Sequence, residues 1–131
     1  MPQGPYQDVE LCADTGHAHP ALVRAVAYEV ASCSTTNAAT LEEVQTGAED
    51  MVRTLTALAQ PGSRVRCLFR LTGHGIRIRV RVSADQHLRG LASTASHAVQ
   101  ALPDVVENAS TIAVPDDGNK TAIISDALVP L

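Results

Sequence analysis

The sequence predicts a two-layer α+β sandwich, with a mostly antiparallel mixed sheet and helices on one face of it. Two neighbouring segments alternate apolar residues with arginines, a pattern typical of strands that have one buried and one wet face. Three other segments carry apolar residues at helical spacing. Because the strand-like segments mostly follow each other across short turns, the helices are expected to cover a single sheet face.

Composition bounds the size and the class of the protein. The 131 residues suit one domain, residues 1–131, and 45% of them are hydrophobic, although the aromatic residues are only one Phe and two Tyr. The core is therefore expected to consist of Val, Leu, Ile and Ala, which a chain of this length buries in sufficient number. The net charge of −4 argues against nucleic-acid binding through bulk electrostatics.

The cellular compartment of the protein is predicted from its apolar runs and its cysteines. No apolar run approaches the roughly 20 residues that span a bilayer, and the first residues lack the basic start and apolar stretch of a signal peptide. Cys12, Cys33 and Cys67 are odd in number and widely spaced, which fits a reducing compartment and thiols that pack mostly on apolar faces. We expect a cytoplasmic protein without membrane contact.

The first half of the chain predicts one strand and one helix before a loop. Residues 8–13 alternate as a short strand. Pro20 suits the first position of a helix that runs to about residue 32, because that position needs no backbone N–H. Residues 34–39 are predicted to form a loop. The expected buried face of the helix carries Leu22, Val26 and Val30.

A second helix is predicted to open at Thr40, with Glu43 completing a capping box. Pro61 and Gly62 are expected to end it. The apolar residues at helical spacing are Leu41, Val44, Ala48, Met51, Leu55 and Leu58.

The second half predicts two hairpins around a third helix. Residues 64–71 and 76–82 alternate as strands joined by a turn at residues 73–75. A helix is predicted over residues 91–102, ended by Pro103. The final hairpin is predicted over residues 105–114 and 120–125, with its turn at residues 116–119. The predicted order is therefore β-α-α-β-β-α-β-β.

This order resembles the smallest form of the GHKL (histidine-kinase-like) ATPase fold, the anti-sigma factor serine kinases of bacteria. Residues 9–11 and 20–24 are similar to the first strand and helix of that family. Residues 41–58 and 64–71 are similar to its nucleotide-contacting helix and next strand, and residues 97–106 to its C-terminal helix running into a strand. The resemblance implies a cytoplasmic protein that binds a sigma factor, pairs as a homodimer, and is displaced by an anti-sigma antagonist.

The sequence departs from that family at its kinase residues. A gapless alignment places Gly47 and Met51 where active members carry a Glu base and an Asn that holds Mg²⁺. Glycine has no proton acceptor, and a thioether is a poor ligand for a hard cation. Asp85 matches the adenine-reading Asp, but both glycines of that motif are replaced in residues 84–88. Kinase activity is therefore expected to be lost, and no cofactor is expected, with residual ATP binding through Asp85 left open.

The remaining polar residues that we considered are the arginines of the first hairpin and two histidines. Six arginines face one side of the predicted first hairpin and form what we call the arginine stripe: Arg64, Arg66, Arg70, Arg77, Arg79 and Arg81. We favour a solvated sheet face paired locally with acids, and the sharper alternative is a docking surface for an acidic protein. His17 and His19 share a loop, but no third ligand is recruited, so no metal is expected.

The predicted function is that of a regulatory protein-binding domain of the anti-sigma type. By resemblance, the exposed candidate contacts for the partner are Arg24, Glu29 and Arg89. A divergent ATP-dependent serine kinase acting on an antagonist is the alternative, with Glu43 or Glu49 as a relocated base. A catalytically dead dimerisation or scaffold domain is a third hypothesis.

Overall fold

A computed structural model describes residues 7–14, 16, 19–59, 62–84, 107–115 and 121–130. The elements within these residues are β1 (Gln7–Asp14), α1 (Pro20–Ser32), α2 (Ala38–Leu58), β2 (Arg64–Leu71), β3 (Gly75–Ala84), β4 (Glu107–Pro115) and β5 (Thr121–Pro130). The α+β class and these elements are confirmed. The predicted third helix, the turn at residues 116–119 and the candidate residues Asp85 and Arg89 lie outside the described residues.

The strands form one five-stranded sheet in the order β1-β2-β3-β5-β4. Every pairing between the described strands is antiparallel, so the mixed character that we predicted is absent from this part of the chain. Because β5 pairs antiparallel with both β3 and β4 and lies between them, β3 and β4 run in the same direction without pairing to each other.

The core lies between one face of this sheet and the two helices. The alternation predicted for the first hairpin is confirmed, since the apolar side chains that were predicted to share one face are all buried: Val65, Cys67, Phe69, Leu71, Ile76, Ile78, Val80 and Val82. Met51 and Leu55 of α2 belong to the same cluster and have no exposed surface. Burial of each such large side chain contributes about 1.5–3 kcal/mol, so this layer dominates the stability.

Helix α1 has the predicted bounds but turns a different face to the core. Its buried residues are Val23, Ala27, Val30 and Ala31. Leu22 is 44% exposed, so its predicted burial is wrong. Successive residues differ by roughly 100° around a helix, and contact with both α2 and the sheet centres the buried face near Ala27 rather than Val26.

Helix α2 begins two residues earlier than predicted. Asn37 is the N-cap, and its Oδ1 accepts a hydrogen bond from the Thr40 backbone N–H at 3.0 Å. The predicted capping box of Thr40 and Glu43 is therefore wrong, because Thr40 already lies in the first turn of the helix and its own backbone N–H is the donor that the N-cap satisfies. None of the described helices is both long enough and apolar enough to cross a membrane.

Candidate protein-binding groove

A groove of about 450 Å³ separates α1 from the edge strand β1. It is lined by two residues of the sheet and five at or beside α1: Val9, Leu71, Ala25, Val26, Glu29, Val30 and Cys33. The lining is almost entirely apolar. The groove exists because α1 carries only the short side chains of Ala25 and Val26 above β1, which leaves the space over Val9 unfilled.

The stripe of α1 that borders the groove continues onto the exposed surface. Leu22, Val26 and Glu29 follow at helical spacing, and Cys33 comes one further turn along. Leu22 is 44% exposed, and Tyr28 on the neighbouring side of the helix is 45% exposed. This side of α1 therefore offers exposed apolar surface at Leu22 and Tyr28 beside the groove.

The rim of the groove is polar at one end. Glu29 is exposed, and its backbone oxygen accepts hydrogen bonds from Ser32 Oγ at 2.9 Å and from Cys33 Sγ at 3.4 Å. These bonds close the last turn of α1, and Glu29 and Cys33 both line the groove beside its apolar residues. Cys33 was not among the residues that we predicted, although its spacing from Leu22 and Glu29 carried the signal.

Arg24, one of the predicted partner contacts, is engaged inside the protein. Its Nη2 donates to Glu42 at 2.8 Å and its Nη1 donates to Glu49 at 3.0 Å. The hydrogen bonds that Arg24 donates to Glu42 and, to a lesser extent, to Glu49 raise the pKa of Arg24, and the bond from Arg24 lowers the pKa of Glu42. The Arg24 side chain is 31% exposed, which makes it half-buried, so our expectation of a fully exposed side chain there does not hold. Glu29 is the predicted contact that the structure places on the groove.

The positions aligned with the kinase residues lie inside the helix–sheet interface. Gly47 and Met51 are both on the buried face of α2, and Met51 has no exposed surface. Glu49, an alternative base, accepts hydrogen bonds from Arg24 on one oxygen and from Arg53 on the other. Glu43, the second alternative, is half-buried on the same helix.

The histidines and cysteines take separate places in the described residues. His19 is the N-cap of α1, where its Nδ1 accepts from the Ala21 N–H at 3.2 Å. Cys67 is buried as predicted, whereas Cys12 and Cys33 are exposed, which corrects our expectation that the thiols mostly pack on apolar faces. Among the described residues, no three His, Cys, Asp or Glu side chains are grouped to hold a metal.

The arginine stripe lies on the outer face of the sheet. Arg70 binds Asp8 through two hydrogen bonds of 2.8 Å, and Arg77 and Arg79 share Asp126 at 3.0 and 2.7 Å. The prediction of local pairing with acids is confirmed for these three arginines.

No protein-family model matches the chain, and no curated protein matches its sequence significantly.

Proposed function

We propose that the chain is a regulatory protein-binding domain of the anti-sigma type, which sequesters an alternative sigma factor in the cytoplasm without phosphorylating any protein. The groove between α1 and β1 carries the proposal. It lies on the helix that the resemblance to anti-sigma factors assigns to sigma contact. Pairing with a second copy and release by a competing antagonist belong to the same proposal.

The chemistry of the groove suits a protein segment as its occupant. Contiguous apolar surface that is exposed on a folded domain is typical of a protein interface. The lining offers Val9, Val26 and Leu71 to an apolar side chain, while Glu29 offers a carboxylate at the rim. The expected partner segment therefore presents apolar side chains on one face of a helix and a Lys or Arg beside them.

The position of Met51 supports loss of the kinase reaction. Phosphoryl transfer depends on a metal and on positioned polar groups. A thioether packed in the core provides neither, and Gly47 has no side chain that accepts a proton. The engagement of Glu49 by two arginines likewise supports a structural role for that carboxylate.

The test measures the affinity of the purified chain for alternative sigma factors of the same cell. Ala25→Arg fills the groove, and Ala57→Arg adds the same side chain to an exposed helical position outside it. Glu29→Lys reverses the charge at the rim, and Glu10→Lys does so on the outer sheet face. We expect both groove variants to weaken binding at least about tenfold, or about 1.4 kcal/mol, and both control variants to bind as the wild type does.

Three outcomes contradict the proposal. One is a wild-type chain that binds none of the sigma factors. Another is equal weakening by the groove variants and their controls. The third is a loss of self-association in Ala25→Arg without any sigma binding, which favours the scaffold hypothesis.

Calorimetric titration with Mg-ATP tests the kinase alternative separately. We expect no binding heat at millimolar ATP, because Gly47 and Met51 supply no base and no metal ligand. A micromolar dissociation constant, equivalent to about −8 kcal/mol, would show that the alignment of α2 is wrong and would favour the kinase.

A further inference from the structure

The outer face of the sheet holds a polar cavity of about 250 Å³ where the start of β2 meets the end of β3. Its lining residues are Arg64, Arg66, Arg81, Val82 and Ser83. Among these described residues there are three guanidinium groups, one hydroxyl group and no carboxylate. The cavity and the groove lie on opposite faces of the sheet, so this site is independent of the proposed sigma contact.

Two pairs of arginines stand directly opposite each other in the β2–β3 register. Arg70 faces Arg77, and Arg66 faces Arg81. Like charges placed directly opposite on paired strands are destabilising. The first pair is neutralised by carboxylates, because Asp8 binds Arg70 and Asp126 binds Arg77.

The pair in the cavity lacks that compensation at Arg66. Within the described part of the chain, the Arg66 guanidinium forms no hydrogen bond or ion pair, whereas Arg81 and Ser83 do have interactions of their own. On the β1 side, Arg66 faces the uncharged Cys12, and Asp14 faces Arg64 instead. The nearest acid along β1 in the other direction is Glu10, which faces Leu68. An anion seated between Arg66 and Arg81 would relieve the repulsion.

We propose that Arg64, Arg66, Arg81 and Ser83 form a binding site for a multiply charged oxyanion of the phosphate class. Arginine presents a planar fork of donors that matches a phosphate group with two parallel hydrogen bonds. The Ser83 hydroxyl adds a neutral donor at the same wall. None of the lining residues is aromatic, so the site is expected to recognise the charge of the ligand and not a ring.

The experiment titrates the full chain with inorganic pyrophosphate at low ionic strength, and follows the arginine Nε–Hε signals by NMR together with the heat of binding. Arg66→Gln is compared with Arg77→Gln, which removes the same charge from the same face while Arg79 still holds Asp126. Arg66→Lys keeps the charge but removes the fork. A phosphoserine peptide and its unphosphorylated form distinguish a protein-borne phosphate from a free anion, and citrate is the carboxylate control.

We expect saturable binding of pyrophosphate or of the phosphopeptide, with the Arg66 and Arg81 signals shifting most. Arg66→Gln should weaken it at least about tenfold, equivalent to about 1.4 kcal/mol, Arg66→Lys by less, and Arg77→Gln hardly at all. Absence of binding by both phosphate probes would overturn the proposal. Equal losses in the Arg66→Gln and Arg77→Gln variants, or equal affinity for citrate, would also overturn it, because diffuse attraction of anions explains those results.

Discussion

Arg24 of α1 and Glu49 of α2 form an ion pair across the two helices, with 3.0 Å between Nη1 and Oε1. Glu42 binds the same guanidinium, and Gln45 Nε2 donates to the Arg24 backbone oxygen at 3.2 Å. These contacts set the distance of α1 from α2, and α1 in turn forms one wall of the groove. Arg24, which the resemblance marks as a partner contact, therefore stabilises the packing of α1 against α2.

Glu49→Gln should destabilise the protein, because it removes the charge that both Arg24 and Arg53 bind. Glu49 is 17% exposed, so we expect a loss of about 1–2 kcal/mol in the free energy of unfolding, measured with urea. Glu43→Gln is the matched control on the same helix, since Glu43 forms no ion pair among the described residues. Equal losses in the two variants would show that the ion pairs contribute nothing.

Gly75→Ala should destabilise the sheet where β3 begins. A Cβ at Gly75 would overlap the Val129 carbonyl oxygen and stand 3.1 Å from Leu128 Cδ1, so β3 and β5 must separate locally. Overpacking of this kind costs about 1–3 kcal/mol, which thermal or urea unfolding measures. Gly73→Ala in the same turn is the control, because nothing lies within 4 Å of its added Cβ. A Gly75 variant as stable as the control would contradict the close contact.

The Asp8–Arg70 ion pair should make the free energy of unfolding depend on pH. The hydrogen bonds from Arg70 hold the pKa of Asp8 below its usual value of 3.8. A lowered folded-state pKa means that the pair stabilises the protein fully above pH 3.8 and loses this contribution as the pH falls through the folded-state value. Wild type and Asp8→Asn should therefore differ in urea midpoint at neutral pH and converge in acid.

The control for this titration is Glu10→Gln on the same strand, where the register places Leu68 opposite the carboxylate. Its difference from the wild type should be small at neutral pH. An Asp8→Asn difference that persists unchanged in strong acid would mean that the carboxylate charge is not its cause.

The three thiols should differ sharply in reactivity toward a disulfide reagent in the native protein. Cys12 and Cys33 are exposed and should react at once. Cys67 is 1% exposed, and burial raises its pKa to about 12, so it should react only on unfolding. Counting released chromophore before and after denaturant measures this, and Cys67→Ala should abolish the late phase. Rapid reaction of Cys67 in the native protein would show that β2 opens readily.

Much of the fold follows from local pattern. The alternation along β2 and β3 predicts both strands and their buried faces, because a period of two puts every second side chain on one side of a sheet. Pro20 likewise predicts the start of α1, since its ring suits the first turn of a helix.

Less of the candidate site followed from the sequence. Glu29 was predicted as an exposed contact, yet the groove beside it depends on how α1 is rotated. Leu22 and Val26 looked as apolar as Val23 and Ala27, and helical spacing alone does not say which stripe faces the core. Contact with α2 decides that rotation, and the ion pair between Arg24 and Glu49 spans the same helix interface.

The sequence by itself determined the element types, the mainly aliphatic core and the two-faced sheet, because these depend on neighbours close in the chain. Tertiary structure alone decided that β5 and not β4 lies beside β3, since both strands can form ladder hydrogen bonds. Tertiary structure also decided which arginines form ion pairs with carboxylates. Asp8 and Asp126 reach Arg70 and Arg77 through pairings between residues 62 and 49 positions apart, whereas the register sets Arg66 opposite a cysteine and another arginine.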